Sequence, residues 1–433
     1  MLATTFTFCS SQTALGQDSV EPSFRVATLN VPAIAPAPSV EGSEVQTQDP
    51  EAAARMKAAL AHEINAEFFN TPLGDVLNDL STQSKIPIIL DQAATNRLKY
   101  RIHSQLTVTV FEAPVIFKAQ SLPLANVLDL ILPGLGLTWG TKTNETISVT
   151  TPEVADNWVE GRLYPVEQIL AKNAESVTDS RIGARVIANF LTSFVAPESW
   201  QINGGTGEIV PLDGALLVRA TRSVHEEARQ FLNTWSQPQL RQPRPTAAEQ
   251  EIRRVLAEDI VFDAPEQALF EVLPDMADQT LIPIVLDFYA LLEERIPYDR
   301  PVGFNVSGAS LAAVLDLMLD PQGLTAIVHK DTLLITTKTR AARLMSTRMY
   351  DVRELLVPRD AESTAPIDRR TLTTIIDTTV QPESWFATGG EARKEFYVSD
   401  NATEVLLFVR QTDAGHRDLH ERLQQLKRWA RTE

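Results

Sequence analysis

Two spacings of hydrophobic residues follow one another along the chain, and together they predict short strands separated by short helices. Ile64 to Phe69 has the pattern of a strand, and Thr71-Pro72 after it suits the start of a helix. The branched run Ile86 to Leu90 then has the character of a buried strand. The helix between them carries its apolar residues on one face: Leu73, Val76, Leu77 and Leu80. This segment predicts a β-α-β unit.

A second unit of the same kind follows. A strand at Val115 to Ala119 leads into an amphipathic helix that ends near Gly136, and Thr146 to Val149 alternates like a closing strand. A smaller module comes next, in which strands and helices alternate at 163–166, 181–194, 215–220 and 223–235. The pattern predicts an α+β fold in which a βαβ-βαβ module precedes a second small α+β module. Modules of this size have small cores and are expected to pack on their neighbours.

The second half of the chain repeats these patterns in the same order. Ile86 to Asp91 returns as Ile282 to Asp287, and Pro197 to Trp200 returns as Pro382 to Trp385. Further ordered matches join Val127–Leu130 to Val314–Leu317, Gly136–Thr138 to Gly323–Thr325, Tyr164 to Tyr350, Gly204-Gly205 to Gly389-Gly390, and His225 to His416. So many matches predict a tandem duplication of the two modules.

The predicted duplication divides the chain into four modules and a central linker rich in Pro and Gln. We name the modules A1 (61–152), B1 (158–236), A2 (251–338) and B2 (345–430), with the linker at 237–250. A1 has roughly nine more residues than A2 around His103 to Thr109, which predicts a longer hairpin or loop. Pro274, in the first helix of A2, predicts a kink or a shorter helix.

The A modules resemble a known family on the residues just matched. Their IPIxLD strand, VLDL helix, GLT turn and Thr-rich closing strand, at Phe68 to Thr151 and Phe262 to Thr337, are similar to the short N-terminal (STN) domain of secretins and TonB-dependent receptors. The B modules resemble, more loosely, the KH-like ring-building modules of secretins. The resemblance implies periplasmic surfaces that contact proteins, including copies of themselves. We expect no secretin barrel, because the alternating membrane strands that one needs are absent from the sequence.

The first 60 residues differ in composition from the rest. Residues 1–16 resemble the end of a truncated secretory signal peptide, with a short apolar run before Ala14 and Gly16. Cys9, the single cysteine, lies in this segment, so cleavage after Gly16 would leave no thiol. Residues 17–60, rich in Pro and Ala, are predicted to be a disordered tether. These features favour a periplasmic or otherwise exported protein of a Gram-negative-type bacterium; a disordered cytosolic N-terminus is the alternative.

The charge of the chain argues against nucleic acid as a partner. The formal net charge is -17 and the sequence pI is near 4.9, so the surface repels phosphate backbones. Gly204 to Gly207 has the spacing of a KH loop, but it precedes a predicted strand and lacks basic neighbours. No stretch approaches the ~20 apolar residues of a membrane-spanning helix. The chain is therefore predicted not to span a membrane.

Few residues suggest catalysis or metal binding. His416 and His420 lie four apart on a predicted helix, but no third ligand accompanies them, so solvated helix residues are expected. Asp91 and Asp287 each follow a strand, and they are expected to cap the next helical turn. We expect no catalytic site, no metal and no cofactor.

Trp200 and Trp385, each after Pro-Glu-Ser, are the most distinctive repeated residues. If exposed, they would serve as anchors for a protein partner. If buried, they would pin a loop across a small core. Glu198 and Glu383 are expected on the solvated part of the same loops.

The sequence leaves two functional hypotheses of different classes. The first is a non-catalytic exported envelope scaffold that binds envelope proteins or self-associates through its sheet edges or stacked faces. The alternative is a periplasmic ligand-binding protein or enzyme with a site in the cleft between modules. A large polar cleft with repeated ionisable residues would favour the alternative.

Overall fold

Strands and helices are both abundant, and the sheets contain parallel as well as antiparallel pairs, so the chain has the predicted α+β fold. The computed structural model describes residues 50–96, 98–101, 107–143, 145–170, 180–237, 241, 245–297, 300–358, 366–399 and 402–432. The predicted signal segment at 1–16 and residues 17–49 of the predicted tether lie outside the described residues. None of the described helices has the length and the apolar run that crossing a membrane requires.

The predicted tether extends too far toward module A1. Helix α1 spans Pro50–Leu60, and its residues Ala52, Met56 and Ala59 are buried. Met56 belongs to the hydrophobic core of the A modules. The prediction of a tether through residue 60 was wrong because the Ala-rich composition concealed three apolar residues at helical spacing.

Module A1 has two main helices and two small sheets. Its elements are β1 (Glu63–Pro72), α2 (Leu73–Ser84), β2 (Ile88–Leu90), α3 (Gln92–Thr95), β3 (Lys99–Arg101), β4 (Thr107–Thr109), β5 (Pro114–Pro123), α4 (Leu124–Ile131), β6 (Thr138–Thr143) and β7 (Thr146–Thr150). Strands β1 and β5 pair antiparallel, while β2 is parallel and β6 antiparallel to β7. Strands β3 and β4 form a hairpin in the stretch where A1 is longer than A2.

Module B1 is a three-stranded sheet with two long helices. After the short connecting helix α5 (Pro152–Ala155), it comprises β8 (Glu160–Pro165), α6 (Glu167–Leu170), α7 (Ser180–Phe194), β9 (Glu208–Pro211), β10 (Ala215–Ala220) and α8 (Arg222–Ser236). The strand order is β8-β10-β9, and both pairs are antiparallel. Short 3-10 turns and the glycine-rich stretch before β9 separate α7 from the sheet.

The predicted linker is shorter than 237–250 and is held to the protein. Helix α9 (Ala247–Leu256) begins inside it, with the Thr246 hydroxyl accepting a hydrogen bond from the Glu249 N–H. Arg241 is buried, donates to the Trp235 carbonyl and forms an ion pair with Glu404 at 3.0 Å. The prediction failed because composition does not show that one arginine in the stretch is buried against a half-buried carboxylate.

Module A2 has the same order of main elements as A1. After α9 come β11 (Asp259–Ala268), α10 (Leu269–Thr280), β12 (Ile284–Leu286), α11 (Phe288–Glu293), β13 (Pro301–Ser310), α12 (Leu311–Leu319), β14 (Leu324–His329), β15 (Thr332–Thr337) and α13 (Lys338–Arg343). Pro274 does not shorten its helix, since α10 and α2 both have 12 residues. The apolar face of α10 stays buried, so packing outweighs the one backbone hydrogen bond that proline removes.

Module B2 repeats the architecture of B1. Its elements are β16 (Met345–Asp351), α14 (Arg353–Leu356), α15 (Arg369–Thr379), β17 (Arg393–Val398), β18 (Val405–Thr412) and α16 (Asp413–Thr432). The strand order β16-β18-β17 is again antiparallel throughout.

The two A modules share one sheet. The second edge of β5 pairs antiparallel with β12, so that Lys118 lies opposite Ile284 and Phe117 opposite Val285. The resulting sheet has five strands in the order β1-β5-β12-β15-β14, two from A1 and three from A2. We call this pairing and the contacts around it the A1–A2 joint.

The two B modules share a core of aromatic side chains. Phe408, on the sheet of B2, is fully buried, and its ring lies 4.7 Å from that of Phe190 and 4.8 Å from that of Trp235, measured between centroids. Phe190 and Trp235 belong to the long helices of B1. The helices of B1 therefore cover the sheet of B2.

Candidate interaction surface

The repeated tryptophans are buried pins of the two loops that carry them. The Nε1–H of Trp200 donates to the Val195 carbonyl at 2.7 Å, and that of Trp385 donates to the Val380 carbonyl at the same distance. Both rings are buried. Of the two roles that the sequence left open, the structure therefore places both residues in loop anchoring, and exposed anchoring of a partner is excluded for them.

The exposed carboxylates beside them do not make a common site. Glu198 and Glu383 are exposed, as the sequence suggested for the solvated part of each loop. Trp200 packs in the core shared by B1 and B2, whereas Trp385 packs in a separate core within B2. The four predicted site residues thus occupy two equivalent loops with structural roles.

The paired glycines after each tryptophan allow two backbone segments to touch. A Cβ atom on Gly205 would lie 2.2 Å from the carbonyl carbon of Ser199, and one on Gly390 would lie 2.0 Å from the Ser384 oxygen. The Gly205 N–H donates to the Trp200 carbonyl, which closes the loop. This close approach explains the repeated glycines without a phosphate site.

His225 and His416 are buried structural residues and not solvated ones. In each, the ring Nε2 lies 2.8 Å from a backbone carbonyl, of Glu160 and Ser346 respectively, so Nε2 carries the proton and donates. The Nδ1 of His416 accepts from the Tyr350 hydroxyl at 2.9 Å. The expectation of a solvated His416 was wrong, because one helix face at this position points into B2.

These contacts leave His416 unsuited to metal binding. Burial lowers the pKa of His416 to about 3, and it also lowers the pKa of His225. Both ring nitrogens of His416 are already engaged, and His420 is exposed. Among the residues that the structure describes, no three His, Cys, Asp or Glu side chains are placed to hold a metal ion.

Asp91 and Asp287 cap helices, as predicted. The carboxylate of Asp91 accepts from the Ala94 N–H at 3.2 Å, and that of Asp287 accepts from the Ala290 N–H at 3.1 Å. Burial raises the pKa of Asp287, although the Thr336 hydroxyl donates to its second oxygen at 2.8 Å. Both carboxylates serve the turn that follows their strand.

The space enclosed at the A1–A2 joint is very small. Its volume is about 10 Å³, close to the room that one water molecule needs. The lining carries no ionisable side chain and consists of Pro114, Val115, Ile116, Ile131, Gly134, Leu135, Val285, Leu286 and Phe288. This cleft lacks the repeated ionisable residues that would favour a ligand-binding or catalytic site.

The joint itself is the most informative surface of the protein. Besides the strand pairing, Lys118 forms ion pairs with Glu67 of A1 and Asp278 of A2. The Tyr100 ring lies 6.1 Å from the Phe288 ring, edge to face, and Tyr289 packs over Gly136. One A module therefore binds another by adding a strand to its sheet and fitting side chains around it.

Sequence reasoning recognised the strands of this joint but not their role. Ile86 to Leu90 and Ile282 to Leu286 were both predicted as buried strands, yet only the second is covered: Val285 is 2% exposed and Ile89 is 53% exposed. The two strands have nearly the same sequence, so the sequence alone carried no signal of the difference. Their burial differs because β5 pairs with β12.

No protein-family model matches the chain, and no curated protein or solved structure matches it either.

Proposed function

We propose that this protein is a non-catalytic scaffold or interaction protein of the bacterial envelope, which binds protein partners or copies of itself through strand edges of its A modules. The observation that carries the proposal is the pairing of β5 with β12. An unpaired strand edge offers backbone donors and acceptors to any extended segment that can align with it. In this chain such an edge is already used to join two modules.

The family resemblance supports the same proposal. STN-like A modules and KH-like B modules, arranged as a tandem duplication, would serve as contact surfaces in the periplasm. A1 and A2 share the order of their main elements, as do B1 and B2, and this agrees with such a duplication. Export rests on the signal-like residues 1–16.

A ligand-binding or catalytic function has less support. The cavity at the A1–A2 joint is apolar and has room for about one water molecule. The most perturbed buried histidine, His416, is enclosed by its own module and hydrogen-bonded at both nitrogens. The hydrogen bonds of His416 stabilise module B2, and the cavity at the joint has no ionisable side chain in its lining.

A site-specific cross-linking experiment tests the proposal. A photo-reactive amino acid replaces Ile89 in the full chain, which is expressed in its native host, and the matched control carries the same amino acid at the exposed Lys57. We expect irradiation to yield a discrete protein adduct from position 89 and none from position 57, with the mature chain in the periplasmic fraction. Equal adducts at both positions, or none at position 89, would contradict the proposal.

A further inference from the structure

The A1–A2 joint consists of two complementary surfaces. The surface on A1 is formed by β5, the end of α4 and the turn after it. We call this surface the socket, and its residues are Pro114, Val115, Ile116, Ile131, Gly134 and Leu135. The surface on A2 is formed by β12 and the start of α11. We call this surface the strand edge, and its residues are Val285, Leu286 and Phe288. The two surfaces enclose a space of about 10 Å³, so they fit closely.

A groove on A2 lies where the socket lies on A1. Strand β13 aligns with β5 in the same register, since Pro114 pairs with the last residue of β1 and Pro301 with the last residue of β11. At the positions of the six socket residues, A2 has Pro301, Val302, Gly303, Met318, Pro321 and Gln322, and all six line the groove. Its volume is about 280 Å³. The groove on A2 is thus an open socket.

The strand edge of A1 is open as well. Strand β2 corresponds to β12 and pairs on one side with β7. No other described strand pairs with β2 or with the outer side of β13. Ile89 is 53% exposed, whereas the corresponding Val285 is 2% exposed. One chain therefore presents an open strand edge on A1 and an open socket on A2.

A buried leucine of A1 has an exposed counterpart beside the open socket. Leu130 is 5% exposed, and Leu317, at the same position of the matched VLDL helix, is 65% exposed. Leu317 lines the open groove. Leu317 thus adds an exposed apolar side chain to the lining of the open socket.

The residues that would meet between two chains are compatible. Lys118 and Asp278, an ion pair in the joint, correspond to the neutral pair Asn305 and Thr82. Leu135 and Phe288, which line the same apolar cavity, correspond to two amides, Gln322 and Gln92. In both of these pairs the change on one surface is accompanied by a matching change on the other.

Gln322 also has an unmet hydrogen-bonding need. Its side chain is buried, and among the described residues its Oε1 accepts no hydrogen bond, although its Nε2 donates to the Met318 carbonyl. A buried acceptor without a donor destabilises the fold that contains it. Because Gln322 lines the open groove, a turn of its amide toward the groove would let the exposed amide of Gln92 from a second chain donate to it.

We infer that the open socket of A2 binds the open strand edge of A1 from a second copy of this chain, repeating between chains the joint that the chain makes within itself. The inference rests on the proposed function and names the partner and the surfaces. The contact is heterologous, because the two surfaces differ, and it therefore generates closed rings or open filaments according to the rotation between neighbouring chains.

The B modules do not carry this contact. On B1, Phe194 and Phe231 form the aromatic face that covers B2. At the matching positions B2 has Thr379 and Arg422. Within the described part of the chain, the two complementary surfaces belong to the A modules.

The test uses the purified full chain and two surface variants, Ile89→Lys and Leu317→Lys, at positions exposed enough that folding is unaffected. Ile202→Lys, in an exposed loop of B1, is the matched control. Sedimentation velocity should show the mass of the unaltered chain and of the control rising with concentration. Each of the two variants should weaken association at least about tenfold. An equimolar mixture of the two variants should restore dimers, because each retains the surface that the other lacks.

Two results would overturn the inference. One is a monomer at about 100 µM, a concentration that saturates contacts of micromolar Kd. The other is self-association that the mixture of variants fails to restore. If the pure chain is monomeric but position 89 cross-links to a different envelope protein, the inference fails and the proposed function stands. If position 89 captures no protein as well, both fail.

Discussion

His416 and His225 are buried with every ring nitrogen hydrogen-bonded, and each depends on one tyrosine and one carbonyl. Tyr350 and Tyr164 supply the hydroxyl, while Ser346 and Glu160 supply the carbonyl. Such pairs stabilise a small core only while the imidazole is neutral, because both arrangements give one nitrogen a proton and use the other as an acceptor. Protonation would add a donor that faces the Tyr350 or Tyr164 hydroxyl.

We predict that the free energy of unfolding falls as the pH is lowered from 6.5 toward 5. The pKa of His416 is about 3 in the folded protein and ordinarily 6.5, so the unfolded chain binds more protons throughout this range. For His416 the loss should approach about 1.4 kcal/mol per pH unit as the pH falls below 6.5 and the imidazole of the unfolded chain becomes fully protonated. Urea titrations at several pH values measure it. His416→Gln should flatten the dependence and the exposed His420→Gln should not; an unchanged slope in His416→Gln would contradict the assignment.

A second prediction at the residue scale compares two buried tryptophans. Trp200→Phe removes an N–H that donates to Val195, whereas the Nε1 of Trp235 has no hydrogen-bond partner among the described residues. We expect Trp200→Phe to cost about 1–3 kcal/mol more than Trp235→Phe in urea unfolding, because it leaves a buried carbonyl without its donor. Equal losses would show that the hydrogen bond is not what pins the loop.

At the scale of elements, the sequence predicted most strands and helices, because their apolar spacing is regular. It missed β6 and β9, and it missed α1, whose three buried residues lie in an Ala-rich stretch. It also gave no sign that β2 and β12 differ in burial. That difference depends on which strand meets β5, a contact between distant parts of the chain that local patterns do not encode.

We predict that α1 is part of the folding unit of A1. Met56→Ala should lower the free energy of unfolding by about 2–5 kcal/mol, since it leaves a cavity in the core. Lys57→Ala, one position away and exposed, should change it by less than about 0.5 kcal/mol. Chemical denaturation of both variants checks the prediction. If Met56→Ala leaves the free energy of unfolding unchanged, residues 50–60 are not part of the folding unit and the original prediction of a tether there stands.

At the scale of the whole molecule, the halves are held together at two places. The A modules share a sheet, and the B modules share the aromatic core around Phe408. Arg241 fixes the chain between the halves through Glu404. The candidate site follows from this arrangement: sequence patterns identified the modules, but only the pairing of β5 and β12 showed which surfaces are used and which are open.

We predict that the halves stay associated after the chain is cut between them. A protease site inserted between Arg241 and Thr246 should yield two fragments that elute together from a sizing column, because strand pairing and the Phe408 core outlast the covalent connection. Denaturant should separate them. Fragments that elute apart in native buffer would show that the two shared structures are too weak to hold the halves.

The shared sheet also has a consequence for the order in which the chain acquires its structure. Lys118 and Asp278, which meet across it, are 160 positions apart, and all of B1 lies between them. Contacts so far apart in sequence form slowly. While the chain emerges from the ribosome, one edge of β5 stays unpaired until β12 has been synthesised. During that delay a neighbouring nascent chain can offer the same strand.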